Sequence, residues 1–129
     1  MTDTFTSSRI DDLPSIWDGM CKLVRSGLGL SAFGVNVLDF GPDHTTRDHT
    51  EVGSGQEELY LVLHGSATLL IGPEGEEQRV ELVPEVVARV APEARRLFHS
   101  GPEGARILIV GGAAGKAYEV QDWSSGSDG

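Results

Sequence analysis

The sequence predicts an all-β domain of short strands, closed as a barrel or a sandwich and preceded by one amphipathic helix. Three observations carry this. Seventeen glycines and six prolines in 129 residues supply far more turn chemistry than a helical bundle uses. From Ser31 onward, apolar residues come in short runs or alternate with polar ones, and turn residues separate most of these runs. Before Ser31 the spacing is instead three and four, the period of a helix face.

Residues 1–8, "MTDTFTSS", are small and polar and are expected to be loose. In the segment 9–30, Leu13, Ile16, Trp17, Met20, Leu23 and Val24 form the apolar stripe of one helix. Asp12 is placed to cap it, Pro14 sits where a missing N–H costs nothing, and Gly27 or Gly29 ends it. The stripe is expected to pack on the main domain, with a dimer contact through Trp17 and Met20 as the alternative. Residues 31–121 are expected to form the β-domain. "SAFGVNVLDF" puts Phe33, Val35 and Val37 on one face. "EELYLVLHG" and "SATLLIG" are separated at Gly65, "QRVELV" follows the turn "GPEGEE", and "EVVARVA" and "ARRLFHS" break at Pro92. "GPEG", Gly101 to Gly104, is a further turn signal before "ARILIVGG". Residues 122–129 are expected to be a disordered tail.

Composition excludes some functions. Ten basic against twenty acidic side chains give a net charge of −10, which repels phosphate backbones and anionic membranes. Neither a nucleic-acid nor a membrane partner is expected, and no apolar run approaches the ~20 residues that span a bilayer. The lone Cys21 builds neither an internal disulfide nor a zinc cluster, which points to a reduced, cytoplasmic setting. Dinucleotide, Walker, nucleophile-elbow and zincin patterns are absent. "GGAAGKAYE" lacks the spacing of a phosphate loop, and "GPEGEE" lacks that of a calcium loop.

The order of the strand pieces resembles the cupins, small double-stranded β-helix (jelly-roll) barrels. In that family a first motif runs from His-x-His through a glutamate, six residues and a glycine, and Glu58 to Gly65 matches its end. "VPEVVARVAPEARRLF" is similar to the second motif, and the likeness covers roughly residues 31–112. "SGQEELYLVLHGS", "ARVAPEARRLF" and "GPEGARILIVGG" are similar more narrowly to actinobacterial cupin-domain proteins of unassigned function. The resemblance implies a homodimer. It also implies a metal site of three histidines and a glutamate. His49 and Glu58 match two of those ligands, but Arg47 stands at the first histidine's place and Arg96, or Leu97 on a shift of one residue, at the last. The loop between His49 and Glu58 is longer than the pattern. Glycines of the pattern are replaced by Glu85 and Glu93.

Guanidinium has no lone pair to donate, so no cofactor is expected; a divalent metal, if present, would fall on His49 and Glu58. His44 lies in a loop, His64 at a strand rim, and His99 opposite Arg96 in parity. The resemblance implies that Glu58 faces the barrel interior, and strand parity then sends Tyr60 and Val62 the same way, with Ala94, Arg96 and Phe98 from the facing strand. Two uses of the altered site stay open. Glu58 and Arg96 can simply neutralise each other, or Arg47, His49, Glu58, Tyr60, Arg96 and Phe98 can line a pocket for a small, anionic molecule. Catalysis would fall to His49, Glu58 and Tyr60, in a cofactor-independent isomerase, cyclase or lyase of bacterial secondary metabolism. A metal-dependent cupin enzyme is the third reading.

Overall fold

A computed structural model describes residues 4–121 and 123. It is built almost entirely from antiparallel strands: β1 (Ser15–Ile16), β2 (Cys21–Lys22), β3 (Gly34–Phe40), β4 (Gln56–Ile71), β5 (Gln78–Leu82), β6 (Val87–Val90) and β7 (Arg96–Ala113). Among the described residues the one α-helix, α1, is the short Val24–Leu28. Strand order is β1-β2-β3-β7-β4-β5, with β6 also on β4.

Two strands run through the whole barrel. The first half of β4 pairs with β6 and with the second half of β7; its second half pairs with β5 and with the first half of β7. The barrel closes because both strands bend in the middle. There the β4–β7 ladder slips, advancing only from Gly65 to Ala67 on β4 while β7 passes from Ala105 to Ser100. The residues "GPEG" therefore bulge out within β7 and do not end a strand, and Gly65 likewise lies inside β4. Both corners require glycine. Gly65 and Gly104 have φ of 77° and 79°, and a β-carbon on Gly65 would stand 2.1 Å from the Gly104 carbonyl oxygen.

Inward residues follow the parity expected of them. Tyr60, Val62, Leu69, Leu82, Val90, Phe98 and Ile107 are buried together in one cluster, with Phe40 from β3. A segment that belongs to no named strand completes the sheet beside β7: His49 and Arg96 exchange backbone bonds of 3.1 and 3.0 Å, and Thr45 bridges His99.

The N-terminal helix is not what forms. Residues 10–28 instead make a 3-10 turn at Ile10–Asp12, the β1–β2 hairpin, and α1. The reason is partly local. Leu13 precedes Pro14 and is extended at ψ 154°, and Trp17, Asp18 and Gly19 are all left-handed, with φ of 57°, 56° and 85°. Tertiary pairing supplies the rest, since β2 satisfies the free edge of β3 through Cys21–Leu38 and Lys22–Val37. Cys21 and Leu23 are buried at this seam, whereas Trp17, counted in the packing stripe, is 54% exposed. The tail expected at 122–129 lies outside the described residues except for Trp123, as do residues 1–3 of the N-terminal stretch. No helix among the described residues is long and apolar enough to cross a membrane.

Candidate functional site

A cavity of about 550 Å³ opens inside the barrel, lined by β3, β4, β7 and the segment 44–51. Leu38 and Phe40 of β3, Ile109 of β7 and Phe98 give it apolar walls, and His49, Glu51, Glu58 and Tyr60 form a polar patch. Each polar side chain is held by a different device. Glu58 and Tyr60 are two apart on β4 and so share the inner face. His49 is fixed by its ladder to Arg96. Glu51 is set by a tight loop, in which its carbonyl accepts from the Gly55 N–H at 2.7 Å and its carboxylate from the Ser54 hydroxyl at 2.8 Å.

At the centre is a compact network. The Tyr60 hydroxyl donates to Glu58 Oε1 at 2.5 Å, and Arg96 Nε donates to the same hydroxyl at 3.1 Å. Arg96 Nη2 lies 3.4 Å from Glu58 Oε1, so the expected ion pair is present. Nη1 donates to the Ala94 carbonyl at 2.8 Å. The Arg96 side chain has no solvent exposure and stands behind the cavity wall, not in it. Arg47 lines the rim and is exposed. Phe98 packs edge-on against Tyr60 with ring centroids 4.9 Å apart. The structure therefore brings His49, Glu58, Tyr60 and Phe98 together at the cavity, leaves Arg47 at its edge, and seals Arg96 beneath it.

Glu51 was missed in the sequence, although the signal was there. The loop after His49 exceeds the family pattern, and its extra residues return a carboxylate to the site: His49 Nε2 lies 3.3 Å from Glu51 Oε2. The two carboxyls are driven in opposite directions. Burial raises Glu58, reinforced by the charge of Glu51, and this outweighs the Tyr60 hydrogen bond and the attraction of Arg96. Burial also pushes Glu51 upward, but hydrogen bonds from His49 and Ser54 overcome it and hold Glu51 below the usual carboxylate range. Tyr60 is raised by burial and by the neighbouring Glu58 charge, so its phenol keeps its proton.

The remaining histidines take other places. His44 stacks on Phe40 at 5.4 Å and lines the cavity, His64 is exposed, and His99 meets Thr45 at 2.6 Å. Arg95 is occupied by Asp48 and Glu77 at 2.7 and 3.1 Å. Glu85 takes the left-handed φ of 77° that glycine would fill in the pattern, while Glu93 does not.

Among the described residues, His49, Glu51 and Glu58 bring one donor atom each to within 4.8 Å of one another. An imidazole with two carboxylates is a donor set that divalent first-row ions accept. Glu58 Oε1 is already engaged by Tyr60 and Arg96, which leaves Oε2 as its donor. The set fits a three-ligand ion and not the four-ligand arrangement that the resemblance implies.

Solved structures match this architecture, one of them over nearly its whole length. A cupin protein from Bacteroides fragilis superposes with a TM-score of 0.68 over 93% of each chain, at 17% identity. The fold is that of the cupins. A cupin superfamily protein from Desulfitobacterium hafniense DCB-2 is 20% identical, with a TM-score of 0.51 over 61% of this chain and 65% of that one. Oxalate oxidase in complex with the substrate analogue glycolate is 14% identical with a TM-score of 0.56; 64% of this chain spans 42% of that protein. At these identities the likeness is one of fold. No protein-family model and no curated protein matches the sequence.

Proposed function

We propose that this cupin binds a small molecule in its barrel and holds the polar end of that molecule on the His49–Glu51–Glu58–Tyr60 patch without a resident metal. One observation carries the reading: Glu58 is already paired with a cation of the chain itself. The buried Arg96 guanidinium faces Glu58. The positive charge that a metal would bring to Glu58 is already supplied. The wall offers two carboxylates, and its guanidinium is sealed away, so the geometry favours a neutral or cationic polar group over the anion expected from Arg47 and Arg96. His49, Glu51 and Glu58 also stand close enough together to pass a proton to and from a bound molecule, as an isomerase or lyase would need.

The grouping of donors within 4.8 Å favours a second reading, in which His49, Glu51 and Glu58 hold a divalent ion that polarises a bound oxygen. Elemental analysis of protein purified without chelator separates the two. Substoichiometric metal in the wild type, unchanged in Glu51→Gln, is the expected result. A full equivalent of manganese, iron, nickel or zinc that falls away in Glu51→Gln would replace the first reading with the second.

A further inference from the structure

We infer that the cavity selects a ligand joining a planar aromatic ring to an amine, with the ring taken by the tryptophans at the rim and the amine by the carboxylates below. This rests on the small-molecule reading above and names the class of molecule. Both tryptophans of the chain line the cavity. They come from opposite ends of the sequence and lie 54% and 44% exposed, yet Trp17 and Trp123 stack on each other with centroids 5.4 Å apart and planes 21° from parallel. Two large apolar rings held face to face at an opening, outside the buried cluster, form a platform that a third flat ring can join.

The backbone beneath Trp17 strengthens the argument. Trp17, Asp18 and Gly19 are successive left-handed residues, a conformation suited to glycine or asparagine and strained for a bulky side chain. The Trp17 ring is not part of the core, so packing of the interior does not explain why tryptophan occupies that turn. What the turn does is hold an indole at the rim. Below it the wall is apolar through Leu38, Phe40 and Ile109, and deeper still lies Glu58, whose side chain is 14% exposed. A cation suits both ends, because indole faces attract ammonium groups as carboxylates do.

The test uses 2-(aminomethyl)naphthalene as probe, with its fully saturated decalin analogue and 2-naphthoate as comparators. Binding is read by titration calorimetry and by tryptophan emission, which reports on the rim because both indoles stand there. The naphthyl amine is expected to saturate the wild type about tenfold more tightly than either comparator. Trp17→Gly, which suits the left-handed turn and so keeps the fold, is expected to lower its affinity to that of the decalin amine, and Trp123→Ala to do the same. Glu58→Gln is expected to weaken both amines alike. Equal binding of the flat and saturated amines, or a Trp17→Gly protein that keeps the preference, overturns the ring assignment while a Glu58→Gln effect leaves the cavity reading standing. Failure of every probe to bind the wild type overturns both.

Discussion

Glu85 occupies a left-handed position, φ 77°, in the turn between β5 and β6, where a side chain costs about 1 kcal/mol relative to glycine. Glu85→Gly is therefore expected to raise the thermal midpoint by a few degrees, read by calorimetry; a fall would mean that the side chain makes a compensating contact. Glu58 makes a prediction about pH. Its folded pKa stands above the ordinary 4.5, so the folded chain holds that proton more tightly than the unfolded chain does. The stability it contributes is complete below the ordinary value and is lost as pH rises through the folded one. Glu51, held low, contributes in the opposite sense, and its share disappears as pH falls through its depressed value. Urea midpoints measured from acid to neutral pH should show the alkaline-side loss in the wild type and not in Glu58→Gln. An unchanged profile in the variant would remove Glu58 as its source. Strand parity made the inward Tyr60, Arg96 and Phe98 readable in the sequence. Glu51 was not readable in the same way, because its position depends on how the Ser54–Gly55 loop folds back.

At the scale of elements, the corner where β4 and β7 bend is the most demanding point in the chain. Gly65→Ala places a β-carbon against the Gly104 carbonyl in a left-handed conformation. The expected cost is about 3 kcal/mol or more, seen as a lower urea midpoint, and a loss below about 1 kcal/mol would show that the corner relaxes freely. These corners also explain which elements could be read in advance. The sequence marks Gly65 and "GPEG" as breaks between strands, yet both lie inside strands, because a bend within a strand and a turn between strands use the same residues. The N-terminal stripe failed for a different reason. The same segment also carries Cys21 and Leu23 at the alternation of a strand, and the open edge of β3 decides between the two patterns.

For the whole molecule, the net charge of −10 means that folding gathers like charges. Exposed pairs such as Arg89–Glu57 and Arg79–Glu81 offset little of this. Raising salt from about 10 mM to about 150 mM is therefore expected to raise the thermal midpoint by screening self-repulsion. A midpoint that falls instead would show that the internal ion pairs outweigh the net charge. The fold as a whole was legible because turn residues and apolar runs persist along most of the chain.

The threading of the barrel has a consequence for its biosynthesis. β7 comes last of the seven strands along the chain, yet it sits in the middle of the strand order, between β3 and β4. Until it emerges, the nascent chain holds two unconnected fragments, β1–β3 and β4–β6, each with a bare edge awaiting the same partner. Assembly must then wait for β7, with most native contacts formed between distant parts of the chain, a pattern that slows folding and leaves those edges open to capture by chaperones or by one another.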